Sequence, residues 1–289
     1  MRPPLQNPAR NADCIISTLV GSDTVTVVLK SAAMEPVSAT LITFNEERNI
    51  LAALQSLAWA DEIVIIDSGS TDATLEICRT VTDRIFAREW TGYADQKNYA
   101  VEKAGHNWIF SLDADERLSA ELQNEIKALR GNGLESAGYK IPRIAYFMRR
   151  WIRHGDWYPD YQLRFFDRRK GRWQGGRVHE SVKLEGAPGF LKGEIQHYLY
   201  YTLSDYLRRL DTYSSLAASD YCERGESARA WKLLSHPLAT FIKGYVVKGG
   251  FLDGTPGLMV AVMGAISVYF KYAKRYEMQL NLKGMRDQG

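Results

Sequence analysis

The hydrophobic pattern is regular from residue 39 to residue 129, where short apolar runs alternate with segments of helical spacing. The apolar runs are short, a length typical of buried strands in a parallel sheet. They cover residues 39–44, 62–67, 84–87 and 108–112. The segments after them place apolar residues three or four positions apart, which predicts helices. Four strand–helix repeats predict a parallel, doubly wound α/β layer with right-handed crossovers.

Polar residues mark where the predicted helices begin. Asn45 is placed to cap a helix that starts at Glu46, and Ser119 is placed to cap a helix that Gly131 ends. Two further helices are predicted over residues 74–81 and 95–104.

The two ends of the chain differ from this regular part. Residues 1–36 hold several prolines and one strand-like run, so we interpret them as an accessory or disordered N-terminal extension. Residues 201–289 show helical spacing, which predicts an α-helical C-terminal region. The predicted organisation is therefore an extension at 1–36, an α/β domain at 37–200 and a helical region at 201–289.

Composition and charge narrow the classes of function. The chain has 289 residues and an ordinary globular composition with a net charge of +3. Residues 1–145 hold 14 Lys and Arg against 20 Asp and Glu, whereas residues 146–289 hold 23 against 14. An acidic first half suits a metal site, and a basic second half suits an anionic acceptor or an anionic membrane surface. Three scattered cysteines and a start without an apolar signal segment favour a reducing compartment.

Three carboxylates, Asp113, Asp115 and Glu116, follow directly after the apolar run at 108–112. Unpaired charge is too costly to bury inside a sheet, so we expect them at the carboxyl end of the strand, where open α/β sheets bind ligands. An Asp-x-Asp pair there suits Mg²⁺ or Mn²⁺, because a hard cation takes one or two carboxylates and completes its shell with phosphate oxygens. The simpler interpretation is an acidic turn that caps the next helix.

The first two strands also end in polar turns, Thr43 to Glu46 and Asp67 to Asp72. No Gly-x-Gly-x-x-Gly and no Gly-Lys-Ser/Thr phosphate loop follows any strand, which excludes a dinucleotide-binding Rossmann domain. Carboxylates delivered by three strands to one edge indicate a ligand site.

These three turns resemble the motifs of the family 2 glycosyltransferases of GT-A fold. The resemblance rests on Thr-Phe-Asn-Glu-Glu at 43–47, Asp-Ser-Gly-Ser-Thr-Asp at 67–72 and Asp-Ala-Asp-Glu at 113–116. Shorter motifs at 93–98, 177–180 and 251–254 resemble the bacterial subgroup that adds a β-glucosyl residue to the lipopolysaccharide core. The resemblance implies a GT-A Rossmann-like sheet with an α-helical C-terminal region, a UDP-sugar donor, Mg²⁺ or Mn²⁺, and inversion at the anomeric carbon.

The resemblance also implies roles for the polar residues at the first two strand ends. Thr43, Asn45 and Glu46 are expected to line the nucleoside pocket. Asp67 is expected to accept a hydrogen bond from the uracil imide, since ionised acceptors make the stronger hydrogen bonds. The simpler interpretation of Asp67 is a strand-end turn, and Asp72 is expected only to cap the next helix.

At the third strand end, the resemblance implies that Asp115 binds the metal directly. Asp113 is expected to share the metal or to face the ribose or the donor sugar. The cation would offset the charge that develops on the departing UDP. Lys97 is expected to reach a phosphate, with a solvated surface lysine as the alternative.

An inverting transfer needs a base for the acceptor hydroxyl, which is worth about 10²–10⁴ in rate. Many relatives use a Glu-Asp pair, and residues 140–200 contain none. Glu180 occupies a comparable place and is the expected base, with Asp160 or Asp156 as alternatives. His179 is expected to act as a base, a metal ligand or an orienting residue, unless it is an ordinary core histidine.

Aromatic and arginine side chains are interleaved between residues 143 and 173. Aromatic faces suit sugar rings, and arginines suit the phosphates or carboxylates of an acidic glycolipid acceptor. No RNA- or DNA-binding motif accompanies them, so nucleic-acid binding is not expected.

Residues 254–270 contain no charged residue and are followed by Lys271, Lys274 and Arg275. This run is shorter than the roughly 20 residues that span a bilayer. We therefore expect an amphipathic or hairpin segment lying in the inner leaflet, with its cationic end on anionic headgroups. The alternative is a buried core or dimer helix.

The sequence thus predicts a transferase that moves a sugar, expected to be glucose, from a UDP-sugar to lipopolysaccharide inner core at the cytoplasmic face of the inner membrane. Transfer to a polyprenyl phosphate is the rival reaction, although it would favour longer membrane helices. A non-catalytic nucleotide-sugar-binding protein is supported only by the missing Glu-Asp pair. A nucleotidyltransferase would show a glycine-rich, lysine-bearing start, which residues 41–50 lack.

Overall fold

A computed structural model describes residues 15–20, 23–28, 34–175, 180–200, 202–223 and 229–286. His179 lies outside these described residues. The strands are β1 (Ile15–Val20), β2 (Asp23–Val28), β3 (Val37–Thr43), β4 (Glu62–Asp67), β5 (Ile85–Ala87), β6 (Trp108–Asp113), β7 (Glu116–Leu118), β8 (Gly138–Phe147), β9 (Arg150–Ile152), β10 (Asp160–Asp167), β11 (Gly171–Gly175), β12 (Glu180–Leu184), β13 (Gly189–Phe190) and β14 (Ile195–His197). The helices are α1 (Ile50–Ser56), α2 (Thr74–Arg79), α3 (Tyr93–Lys103), α4 (Ala120–Asn132), α5 (Leu203–Glu223), α6 (Lys232–Phe241) and α7 (Gly254–Arg286).

One mixed sheet carries the site, with the strand order β5-β4-β3-β6-β10-β8-β14-β7, and β9 and β13 also pair with β8. Strands β5, β4, β3 and β6 are parallel, as the alternating pattern predicts. Strand β10 runs antiparallel between β6 and β8. The strand order reverses between β3 and β6, and open α/β sheets bind ligands in the crevice at such a point.

Burial explains why the parallel strands are continuous apolar runs. All seven residues of β3 are buried, and helices cover such sheets on both faces. Trp108 and Phe110 of β6 pack against Phe165 of β10, with ring centroids 5.0 Å and 6.1 Å apart. The aromatic contact joins the parallel half of the sheet to the antiparallel half.

Two predicted helix boundaries are wrong. Helix α1 begins at Ile50 and not at Glu46, because Asn45 adopts a left-handed backbone with φ of 53°. Helix α4 continues through Gly131 and ends before Gly133, whose φ of 98° suits glycine. The predicted cap of α4 is confirmed, since the Leu122 amide donates to Ser119 Oγ at 3.2 Å.

Gly193 packs so closely on α4 that an added methyl group has no room. A Cβ at Gly193 would lie 2.4 Å from the backbone nitrogen of Leu122. We expect Gly193→Ala to lower the free energy of unfolding by about 1–3 kcal/mol, because overpacking forces the backbone to shift. Urea denaturation of this variant measures the change. Gly131→Ala is the control, since its Cβ meets nothing within 4 Å; equal midpoints for both variants would contradict the prediction.

Strands β1 and β2 pair with each other in a separate two-stranded antiparallel sheet. Strand β2 is the strand-like run of the predicted extension. The division of the chain at residues 36 and 200 stays a prediction.

The C-terminal region is helical, as predicted. Helix α5 packs on α7 through Tyr206 and Leu210, which meet Val260 and Met263 in one apolar cluster. The Tyr206 hydroxyl donates to the Met263 carbonyl at 2.7 Å. By length and composition alone, one helical stretch of the described chain, Gly250–Asn281, suffices to cross a membrane.

Candidate active site

A cavity of about 870 Å³ opens at the carboxyl ends of the parallel strands. The structure brings seven of the expected residues to its wall: Thr43, Glu46, Asp113, Asp115, Asp156, Asp160 and Glu180. Tyr93 of the motif at 93–98 and Arg143 of the arginine-rich stretch also line the cavity. The sequence analysis missed several other lining residues, among them His197, Tyr200, Arg209 and Tyr213.

Asn45 braces the turns that follow β3 and β4. Its backbone amide donates to Ser70 Oγ at 2.9 Å, and the Thr71 amide donates to Asn45 Oδ1 at 2.8 Å. The neighbouring Glu46 lies beside Asp115, and burial together with that carboxylate raises the pKa of Glu46, although Asn49 donates to it. The two turns thus form one rigid rim of the cavity.

Asp67 stabilises its own turn in this structure. The side chain is buried, and Oδ2 accepts from the amides of Gly69 at 2.8 Å and Ser70 at 2.9 Å. Its other oxygen, Oδ1, accepts from Ser70 Oγ at 2.5 Å. Asp72 accepts from the Thr74 amide at 3.0 Å, as expected of a residue at the start of a helix. Both carboxylates therefore stabilise the backbone of the turn that follows β4.

A buried ionic network supports Asp113 from beneath the cavity. Glu116 has no exposed surface and accepts from Arg143 Nη1 at 2.9 Å and Arg164 Nη2 at 3.0 Å. The same Arg164 nitrogen donates to Asp113 Oδ2 at 2.7 Å. Burial by itself would raise the pKa of Asp113, but Arg164 and Lys97 outweigh it and hold that pKa well below its usual range. Asp113 is consequently fixed as an anion.

Lys97 joins the third strand end to the expected base. Its Nζ lies 2.9 Å from Asp113 Oδ1 and 2.9 Å from Glu180 Oε1. The side chain is only 2% exposed, and the ammonium group lies 4.6 Å from the ring centroid of Trp173. The alternative of a solvated surface lysine is therefore wrong, and in this structure Lys97 holds two carboxylates in place.

Asp115 pairs with a histidine that sequence reasoning missed. The Asp115 Oδ2 atom lies 3.2 Å from His197 Nε2. Burial would raise the pKa of Asp115, but His197 outweighs it and lowers that pKa below its usual value. His197 reaches this place because β14 pairs antiparallel with β7, a register that no local motif reveals.

The two alternative bases are engaged by cations on the other wall. Asp160 Oδ2 accepts two hydrogen bonds from one guanidinium, from Arg143 Nε at 2.9 Å and from Arg143 Nη2 at 2.6 Å. Asp156 Oδ1 lies 2.8 Å from Lys248 Nζ. Glu180 is likewise paired with a cation, Lys97, whose Nζ lies 2.9 Å from Oε1.

Helix α5 closes the cavity from the C-terminal region. Arg209 lies 4.0 Å from Asp115 Oδ2, and its side chain is 41% exposed. Tyr200 and Tyr213 line the same side. Burial raises the pKa of Tyr200 to about 12, so it stays protonated as a hydroxyl at neutral pH.

The donor set at Asp115 fits a hard divalent cation that also binds substrate. Among the described residues there is no cluster of three or more His, Cys, Asp or Glu side chains suited to a metal. Asp115 and His197 instead supply one carboxylate and one imidazole at the cavity wall. Mg²⁺ is held in such sites by one or two carboxylates together with phosphate oxygens and water, and Asp115 supplies a carboxylate of this kind. The pair fits a cation that arrives with a diphosphate.

Comparisons with known sequences give the family. The profile of "Glycosyl transferase family 2" matches residues 38–183. The lipopolysaccharide core biosynthesis glycosyltransferase LpsC of Rhizobium meliloti (strain 1021) is 32% identical over 249 residues, which is 84% of this chain and 92% of LpsC. An uncharacterized glycosyltransferase of Rickettsia typhi is 25% identical over 266 residues, 87% of this chain and 90% of the relative.

Solved structures of two further proteins match part of the chain. Staphylococcus aureus TarS in complex with UDP is 24% identical with a TM-score of 0.34, over 40% of this chain and 37% of TarS. Glucosyl-3-phosphoglycerate synthase from Mycobacterium tuberculosis, in complex with Mn²⁺, UDP and glucosyl-3-phosphoglycerate, is 22% identical with a TM-score of 0.32, over 40% and 46% of the two chains. Given the family profile and the extent of the match to LpsC, the chain belongs to glycosyltransferase family 2 and has the GT-A fold that its motifs predict.

Proposed function

We propose that this enzyme is an inverting, metal-dependent glycosyltransferase that moves a sugar, expected to be glucose, from a UDP-sugar to a hydroxyl group of lipopolysaccharide inner core. The observation that carries the proposal is the convergence of Asp113, Asp115, Glu180 and His197 on one cavity at the carboxyl edge of the sheet. The name of the relative LpsC supports the acceptor class over polyprenyl phosphate.

Asp115 and His197 are the residues that would hold Mg²⁺ or Mn²⁺, whereas both oxygens of Asp113 already face Lys97 and Arg164. When bound, the cation offsets charge on the diphosphate of the departing UDP. Arg209 adds a fixed positive charge on the same side, and guanidinium groups match phosphate oxygens well. Asp113 is then left to face the ribose or the donor sugar.

Glu180 is the proposed base. Its carboxylate reaches the cavity wall and takes the proton from the attacking acceptor hydroxyl in a single in-line displacement. Lys97 fixes the orientation of this carboxylate from the buried side. Asp160 and Asp156 are the alternative bases, and a role of His179 stays a prediction because that residue is outside the described chain.

The rim formed by the turns after β3 and β4 is the proposed nucleoside pocket. Thr43 and Glu46 line the cavity directly, while Asn45 and Asp67 hold the two turns in place. Binding of the uracil imide by Asp67 stays part of the proposal. We also propose that the enzyme works as a peripheral protein on the cytoplasmic face of the inner membrane, where its glycolipid acceptor is held.

Release of UDP from a panel of UDP-sugars tests the proposal, with Mg²⁺ or Mn²⁺ and with or without purified core glycolipid. We expect one UDP-sugar to be consumed, the glycolipid to stimulate release, and EDTA to abolish it. Tight UDP binding without release from any donor would instead support a non-catalytic nucleotide-sugar-binding protein. Pyrophosphate release from a nucleoside triphosphate would support a nucleotidyltransferase.

Replacement of His197 tests the metal pair. We expect His197→Ala to raise the Mn²⁺ concentration that gives half-maximal UDP release by at least about 10–100-fold, the scale seen when groups around a metal are removed. Titration of metal-free enzyme with Mn²⁺ measures this concentration. His106→Ala is the control, because His106 precedes β6 at the opposite edge of the sheet. An unchanged Mn²⁺ requirement in His197→Ala would exclude His197 as a ligand.

A further inference from the structure

An exposed apolar surface runs along α6 and the two short turns that follow it. We call residues 231–252 the ridge; it comprises α6, the π-helical turn Ile242–Val247 and the 3₁₀ turn Gly250–Asp253 up to Leu252. Leu234 and Val247 are the two most exposed large apolar side chains of the described chain, at 76% and 75%. Trp231, Leu234, Leu238 and Ile242 are all exposed and recur at helical spacing, so they lie on one face.

The charged residues within the ridge and just before it are all basic, and one of them, Lys248, pairs with Asp156. Residues 229–252 contain Arg229, Lys232, Lys243 and Lys248 and no acidic residue. Arg229 and Lys243 are exposed. An apolar helix face with a tryptophan and flanking cations is typical of a helix that lies in the headgroup region of an anionic membrane.

The cations expected to contact the membrane from α7 point elsewhere. Arg275 is 1% exposed and lies 4.7 Å from the ring of Tyr221 on α5. Lys274 Nζ is 2.6 Å from Asp211 Oδ1, also on α5. Burial lowers the pKa of Lys271, and Arg275 lowers it further. The predicted cationic end of α7 therefore packs on α5, whereas Arg229 and Lys243 are exposed just before and within the ridge.

The motif Phe251-Leu-Asp-Gly254 connects the ridge to the cavity. Phe251 and Leu252 are exposed at its tip, while Asp253 is buried. Asp253 Oδ2 accepts from the amides of Arg153 at 3.0 Å and His154 at 2.8 Å, and Oδ1 lies 3.0 Å from His154 Nδ1. One residue of this motif thus anchors two apolar side chains to the loop that begins at residue 153.

That loop forms a wall of the cavity. Asp156 and Trp157 line the cavity, and Asp156 is ion-paired to Lys248 of the ridge. The Gly155 amide donates to the Lys248 carbonyl at 3.0 Å. A partner that binds the ridge would therefore lie next to this wall of the cavity.

We infer that the ridge docks on the anionic bilayer surface and places the wall of Asp156 and Trp157 next to the membrane, so that a lipid-held acceptor enters the cavity from that side. The inference rests on the proposed function for the identity of the acceptor. The docking itself depends only on the exposed apolar side chains, the positive charge around them and the contacts of Asp253.

Binding of the purified full-length chain to vesicles tests the docking. We expect cosedimentation with vesicles of phosphatidylethanolamine and phosphatidylglycerol and much weaker binding to phosphatidylcholine alone. Leu234→Ser with Leu238→Ser should lower the partition coefficient at least about 10-fold. Each leucine that moves from water into the bilayer contributes more than about 1.4 kcal/mol, which corresponds to a factor of ten. Lys243→Gln should weaken binding to the anionic vesicles by about 5-fold and leave binding to phosphatidylcholine unchanged.

The double variant Leu51→Ser with Val81→Ser is the matched control, since both residues are exposed and lie on or after helices of the α/β layer. Retained vesicle binding by the Leu234 and Leu238 variant would overturn the inference. So would loss of binding only in Val262→Ser with Ile266→Ser on α7. A further contrary outcome is a wild type that forms a dimer and does not bind vesicles, while the ridge variant is a monomer. That result would show that the ridge contacts a second copy of the chain and not a membrane.

A separate measurement keeps this outcome distinct from that of the proposed function. Vesicle binding is measured without any sugar donor, and basal UDP release is measured without vesicles. We expect the ridge variant to keep its basal UDP release. If neither the wild type nor the ridge variant releases UDP, the proposed reaction is rejected. The vesicle-binding result would still show whether the ridge docks on a membrane.

Discussion

Glu180→Gln is expected to lower the rate of sugar transfer by about 10²–10⁴-fold, the usual contribution of a positioned base. Glutamine keeps the size of the side chain and can still accept a hydrogen bond from Lys97, which lies 2.9 Å from Glu180 Oε1. It cannot take the proton of the acceptor hydroxyl. The turnover number with saturating donor and glycolipid measures the loss, and calorimetric UDP binding should stay within a few-fold of the wild type, about 1 kcal/mol or less.

Glu185→Gln is the matched control for this prediction, because Glu185 is exposed just after the same strand, β12. Its turnover should equal that of the wild type. Transfer that survives in Glu180→Gln but is lost in Asp160→Asn or Asp156→Asn would move the base to the opposite wall. Loss of UDP binding together with transfer would show that Glu180 supports the donor site and not the proton transfer.

Arg164→Met is expected to lower the free energy of unfolding by about 3–5 kcal/mol, the scale seen when one partner of a buried ion pair is removed. Arg164 is 2% exposed, and its Nη2 contacts both Asp113 at 2.7 Å and Glu116 at 3.0 Å. Methionine fills much of the volume but leaves the buried Glu116 and the half-buried Asp113 with less compensating charge. Urea denaturation gives the change in the free energy of unfolding.

Arg208→Met is the matched control, because its guanidinium also pairs with an aspartate, Asp205 at 2.5 Å, while the two side chains are 76% and 32% exposed. Exposed ion pairs contribute about 0–1 kcal/mol, so this variant should be close to the wild type. Adding Glu116→Gln to Arg164→Met should restore part of the stability, since it removes one stranded charge. Equal losses for both single variants would contradict the assigned role of burial.

The strands of the parallel layer were predictable because their signal is local. Strand β4 is observed over Glu62–Asp67, the predicted residues, and β6 ends at Asp113, one residue beyond the predicted run. A buried strand needs only a short apolar run, and the polar residue after it marks the edge of the sheet. The same local reading placed Thr43, Asp113 and Asp115 at one edge before their contacts were known.

The start of α1 was not predictable from the same local reading. Asparagine is a preferred residue at a helix N-cap. The side chain of Asn45 nevertheless accepts a hydrogen bond from the Thr71 amide, 26 positions away in the chain. That bond holds Asn45 in the left-handed region, which asparagine tolerates better than most residues. A contact between two turns therefore overrides the capping preference of a single residue.

The sequence by itself determined the family, the parallel half of the sheet and the edge at which the carboxylates collect, because apolar periodicity and strand-end motifs are properties of short segments. Only the tertiary structure decided the partner of each carboxylate. Lys97 and Arg164 meet Asp113 from α3 and β10, and His197 meets Asp115 from β14. The role of a buried charge depends on the groups within a few ångströms of it, and here those groups come from strands and helices whose register is set by long-range packing.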